Sequence, residues 1–169
     1  MKLARDLEMA ATLCGAFLAG GGLDRVAVAM PAWRIVGANG WAAFSRHADL
    51  GNGLVLYPTA AIGGFALSLA AALAYFRDRT GSRKAGLPIL LSVLFSAGGL
   101  ALTAQAAPFM LSLRRIGDDP VALQRAFDGF DWWGGIRAVV QIAMFIANLW
   151  ALVAIAESAP SRDEYRARS

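Results

Sequence analysis

Three stretches of the chain, 54–76, 85–113 and 138–156, carry no charged residue and approach or exceed the length needed to cross a bilayer. A hydrocarbon core about 30 Å thick is spanned by roughly 20 apolar residues in a helix, because the segment must bond its own backbone where water is missing. A fourth apolar run starts at Met9, is interrupted only by the adjacent pair Asp24 and Arg25, and reaches to about Trp33. The expectation is an all-α integral membrane four-helix bundle formed by residues 1–156 as one domain, with a polar cytoplasmic tail over 157–169. A chain that is 57% hydrophobic and 17% charged has too much apolar surface for an ordinary soluble domain.

The charges then speak to orientation. Sixteen Lys and Arg give a formal net charge of +4, but they are scattered over ends and loops without a basic stripe or aromatic platform, which excludes a nucleic-acid partner. Residues 77–84 contain Arg77, Arg79, Arg83 and Lys84. By the positive-inside rule this loop faces the cytoplasm, and both termini share its side, with Lys2 and Arg5 at one end and Arg162, Arg166 and Arg168 at the other. The implied location is the plasma membrane, multi-pass, although Arg34, Arg46, Arg114, Arg115 and Arg125 in the outer loops weaken the contrast. Reading the N-terminus as a cleavable signal is opposed by Asp6, Glu8 and the Asp24–Arg25 pair. The single Cys14 leaves no intramolecular disulfide and no paired-thiol redox motif.

Prolines mark the helix ends. Pro31 should end the first crossing, Pro58 and Pro88 should open the second and third in their first turns, and Pro108 should kink or terminate the third. In the second outer loop, Asp119 before Pro120 reads as a cap followed by proline at the first helical position, and Leu123, Ala126, Phe127 and Phe130 recur at helical spacing. This predicts a short interfacial helix. A similar one is expected in the first outer loop, capped by Asn39 and carrying Trp41, Phe44 and Ala48 on one face. Trp33, Trp41, Trp132 and Trp133 all fall where amphipathic rings sit at a membrane interface. Small residues recur every four positions at Ala11, Gly15 and Ala19, at Ala60, Gly64, Ser68 and Ala72, and at Ala143, Ala147 and Ala151. Such stripes allow close helix packing within the bundle or a homodimer through one face.

Polar residues inside a membrane are costly and mark candidate sites. Arg137, Gln141, Met144 and Asn148 share one face of the last crossing; Ser92, Ser96, Gly99 and Thr103, with Gln105 nearby, do the same on the third. Two such faces could line a cavity in the outer half, while the cytoplasmic half offers only Ala, Leu, Gly and Ser. Asp24 should be partnered, with Arg25 or Arg137 as its cation. His47, the only histidine, is the candidate general base. One His and one Cys, without paired Glu-x-x-His motifs, cannot build a di-iron or haem centre, so no metal and no cofactor is expected.

The series Ala19-Gly20, Val28 to Pro31-Ala32-Trp33, Trp41, Phe44, Asp49 and Tyr57-Pro58, followed by Pro108 and by Trp132-Trp133 leading to Arg137, resembles the anthrone-oxygenase-like family of small four-helix membrane proteins. The resemblance implies a four-helix bundle and, from some fungal members, oxidation of anthrones without metal or flavin. Such a reaction needs a base and a cation or donor that stabilises the carbanion. His47, Arg137 and Gln141 would fill those roles, and Trp132, Trp133, Tyr57 and Asn148 would contact a small aromatic or quinone-like ligand. Two alternatives accompany this reading: a non-enzymatic accessory protein that binds a partner in the bilayer, and a small transporter with Asp24 as its proton-coupling carboxylate.

Overall fold

The computed structural model describes residues 1–78 and 83–157, and every regular element among them is helical. The expectations for Arg79, for the other residues of the loop at 79–82 and for the tail beyond Glu157 lie outside the described residues. Helix α1 runs from Lys2 to Asp24 and passes through a wider π-turn, Arg25–Ala29, into α2, Met30–Val36. Helix α3, Ala38–His47, leads through Ala48–Asn52, where the chain kinks at Gly51 (φ −88°, ψ −117°, outside the helical region), into α4, Gly53–Arg77. Helices α5, Gly86–Ser112, and α6, Pro120–Glu157, complete the chain.

Four helical stretches are long and apolar enough to cross a membrane: Lys2–Val36, Ala38–Arg77 with its kink at Gly51, Gly86–Ser112 and Pro120–Glu157. Their cores, α1, α4, α5 and α6, pack in that order around a bundle, with α6 closing against α1. Both the amino terminus and the end of α6 sit at one end, where Ala4, Ala72, Tyr75, Ala85, Ile89 and Ile155 pack together. The opposite, loop end is a second core of Trp33, Trp41, Leu50, Met110, Leu123 and Phe127.

The bundle is inverted relative to a soluble one. Leu13, Ile62, Leu73, Leu94, Val139, Ile146 and Val153 are exposed, whereas Thr12, Ser68, Ser92, Ser96, Gln141 and Asn148 are buried. Lipid removes the drive to hide apolar side chains, so the interior is left to small residues and polar pairs that let backbones approach. The three small-residue stripes turn inward at Ala11, Gly15, Ala19, Gly64, Ser68, Ala72, Ala147 and Ala151.

The helix ends differ from the expectation in four places. Pro31 does not end the first crossing: the π-turn just before it lets the Met30 N–H reach the Arg25 carbonyl, and the helix continues to Val36. Pro58 lies inside α4, which begins upstream at Gly53, whereas Pro108 lies one turn before the end of α5 at Ser112. The second outer-loop helix is not separate. Asp119 does cap it, Oδ1 accepting from the Val121 N–H at 3.0 Å, but the helix so started runs unbroken for 38 residues, about 57 Å at 1.5 Å per residue. In the first loop, α3 starts after Gly37 rather than at an Asn39 cap; Gly37 turns the chain at φ +87°, a conformation that costs glycine little. Trp33 and Trp41 are buried in the loop-end core, Trp33 against Phe127 at 5.3 Å between ring centroids, and only Trp132 is largely exposed, at 68%.

Candidate binding cavity

Two breaks in regular α-helix, the π-turn at 25–29 and the kinked segment at 48–52, place one ion pair at the mouth of the bundle. Arg25 begins the first and Asp49 lies in the second, and they meet in a two-pronged bridge: Nη1 donates to Oδ1 at 2.9 Å and Nη2 to Oδ2 at 2.8 Å. Their side chains are only 17% and 12% exposed, so the geometry is that of a strong, shielded pair. The Arg25 guanidinium also lies over the rings of Trp41, at 5.6 Å, and Phe130, at 5.1 Å.

Beneath this pair is a cavity of about 150 Å³. Its wall is mostly apolar, from Leu18, Leu54, Pro58, Ala61, Ala107 and Met110, with polar groups from Tyr57, Thr103, Arg137 and Gln141. All four long helices contribute. Gln141 is buried, and Gly22 makes room for it: a Cβ at Gly22 would stand 2.7 Å from Gln141 Oε1. Tyr57 stacks on Phe17 at 6.2 Å.

Arg137 differs from Arg25. It is half-buried, lies over Phe130 at 5.5 Å, and among the described residues no carboxylate is within ion-pairing distance of it. The cavity wall therefore contains two guanidinium groups and one carboxylate, and the spare positive charge is on Arg137.

The structure thus brings Tyr57, Arg137 and Gln141 together and separates the other candidates from them. His47 is exposed, with Nδ1 bonded to its own helix at the Ala43 carbonyl, 2.9 Å away, and does not line the cavity. Trp132 and Trp133 do not line it either. Asn148 lies in the other half of the bundle, where Oδ1 accepts from Ser92 and Nδ2 donates to the Ala11 carbonyl. Gln105 faces outward.

The expected partnering of Asp24 is overturned. Asp24 is exposed, and no described ion pair joins it to Arg25 or Arg137, because the turn of the π-segment directs Arg25 toward Asp49. The expectation that the termini half holds only Ala, Leu, Gly and Ser also fails, since Glu8, Thr12 and Asn148 are buried there. Two further residues escaped sequence reasoning. Asp49 entered only through the family resemblance and without a partner, and Arg46 proves to fasten the loop that carries it, donating to the carbonyls of Leu113, Ile116 and Gly117 and to Asp118 Oδ1. A run of cations and one carboxylate between two spans was the available signal, but it named no partners.

Among the described residues no three His, Cys, Asp or Glu side chains converge on a point where they could hold a metal ion. No protein-family model, curated protein or solved structure matches the chain.

Proposed function

We propose that this membrane protein binds a single-ring aromatic or quinone-like molecule in the loop-end cavity, its oxygen meeting Arg137 and Gln141. The spare charge of Arg137 carries the reading: a guanidinium set in an apolar wall without a carboxylate of its own is a standing site for a carbonyl, phenolate or carboxylate oxygen. The volume sets the size. A cavity near 150 Å³ is what an apolar core needs to take up benzene, so one ring fits within it.

With His47 outside the cavity, the wall supplies binding groups but no histidine base, which favours a binding or accessory role over the cofactor-free oxygenation implied by the family resemblance. Isothermal titration of the purified protein with a short-chain benzoquinone and with a dihydroxyanthraquinone tests this. Binding of the benzoquinone that falls about tenfold or more in Arg137→Ala, as loss of a charged hydrogen bond requires, and is unchanged in Ser68→Ala, supports the reading. Equal effects of the two substitutions, or preference for the tricycle, refutes it.

The same proposal puts the termini end toward the cytoplasm, on the strength of Lys2, Arg5, Arg77 and Lys84. A cysteine introduced at Asp119 in a Cys14→Ala background should then react with an impermeant maleimide on intact cells, and protection from that reagent would reverse the orientation.

A further inference from the structure

Glu8 lies about 9 Å along α1 from Lys2, and its side chain is completely buried in the termini half. Neither carboxyl oxygen accepts a hydrogen bond. Around it the polar groups are occupied with one another. The Thr12 hydroxyl donates back to the Glu8 main-chain carbonyl at 2.7 Å; the Ser92 hydroxyl, beside the Glu8 carboxyl, donates instead to Asn148 Oδ1 at 2.5 Å; and Asn148 Nδ2 donates to the Ala11 carbonyl at 3.3 Å. Ser68 and Ser96 continue the polar line, their hydroxyls 3.3 Å apart.

Among the described residues no cation is paired with Glu8. Among the described residues the charged and titratable groups at this end are Lys2, Arg5 and Asp6 on α1, Tyr75 and Arg77 on α4, Asp78 bonded to the amino terminus, Lys84 ahead of α5, and Glu157 on α6. Helices α5 and α6 face Glu8 with Ser92 and Asn148, neither of which titrates in the accessible range. A bare carboxylate in such surroundings costs several kcal/mol, and the cost is relieved by a proton or by a bound cation. A sodium ion needs several oxygen ligands at once, and here Asn148 Oδ1 and the Glu8 carbonyl already accept hydrogen bonds from within the bundle. A proton needs only the carboxyl.

We propose that Glu8 is a proton-binding site of the bundle, exchanging with the end that carries the termini, and that Ser92 is its switch. With the proton on Glu8, the Ser92 hydroxyl bonds to Asn148. When the proton leaves to solvent, that hydroxyl turns to the carboxylate, the Ser92–Asn148 link between α5 and α6 opens, and rebinding of the proton restores it. This places the acid of the bundle at Glu8, whereas Asp24 is exposed.

Infrared spectroscopy of the full-length protein in lipid nanodiscs tests the site. The wild type is expected to show a carboxylic acid C=O stretch at neutral pH that shifts in D₂O and disappears on alkaline titration. Glu8→Gln should lack it, and Ser92→Ala should keep it at a changed frequency. No such band in the wild type, or a band retained in Glu8→Gln, overturns the site; an unchanged band in Ser92→Ala overturns the switch. Loss of the wild-type band when sodium chloride replaces potassium chloride at fixed pH shows a sodium site and overturns the proton. Should Glu8→Gln not fold, dicyclohexylcarbodiimide labelling of the wild type decides, since this apolar reagent adds to a protonated buried carboxyl: an adduct on the Glu8 peptide supports the proposal and its absence refutes it.

Discussion

The two ends of the bundle solve the problem of polar groups in a membrane in opposite ways. At the loop end the backbone is opened by a π-turn and by the kink at Gly51, Arg25 and Asp49 pair across 24 positions of sequence, and a cavity remains beneath them. Inside the termini half small residues bring α1 and α6 close together, the buried polar groups other than Glu8 are hydroxyl and amide side chains, and the Glu8 carboxyl sits among them. Backbone separation decides which solution is open. A guanidinium and a carboxylate need room and some access to water, while a serine, an asparagine and a glutamic acid fit where glycine and alanine let helices touch.

The largest test of this contrast is Asp49→Ala. It leaves Arg25 charged and mostly buried without its counter-ion, and should lower unfolding stability in mixed micelles by about 3 kcal/mol, the scale for breaking one side of a shielded pair. Replacing both partners by Leu and Met should recover most of the loss. A cost under about 1 kcal/mol for Asp49→Ala would mean the pair is solvated like a surface bridge, and the distinction between the ends would collapse.

A finer test compares two glycines on α1. A Cβ at Gly15 would stand 2.9 Å from Asn148 Nδ2, an amide held in place by Ala11 and Ser92. A Cβ at Gly22 would stand 2.7 Å from Gln141 Oε1, whose side chain borders open space. Gly15→Ala should therefore cost about 2 kcal/mol and Gly22→Ala about 1 kcal/mol in the same unfolding assay, both within the range for overpacking. Gly22→Ala should also weaken benzoquinone binding by pressing Gln141 into the cavity, and Gly15→Ala should not. Equal stability costs with no change in binding would show that the cavity gives Gln141 no freedom.

Much of the architecture was legible because hydropathy is a local property. The uncharged runs announce three helices and the run from Met9 the fourth, the Asp119-Pro120 pair marks where α6 begins, and the small-residue spacing marks the inward faces. The site was legible only along single helices: Arg137 and Gln141 share a face one turn apart and do meet in one wall, together with Tyr57. His47, Trp132 and Trp133 look equally suitable as residue types, yet helix phase turns them away from that wall. Glu8 was weighed only as an argument against a cleavable signal, since nothing local to α1 shows that the neighbouring helices enclose it.

Composition and hydrophobic run length therefore determined that this chain is a helical bundle with four helices fit for a membrane, since each helix satisfies its own backbone and needs no information from the others. The pairing of Arg25 with Asp49, the unclaimed charge of Arg137, the latch at Arg46 and the enclosure of Glu8 were decided by tertiary structure alone. Each depends on helix phase, on the register between helices, on the π-turn at 25–29 and on the kink at Gly51. A shift of one residue in any of these rotates a side chain by about 100°, from the interior to the lipid.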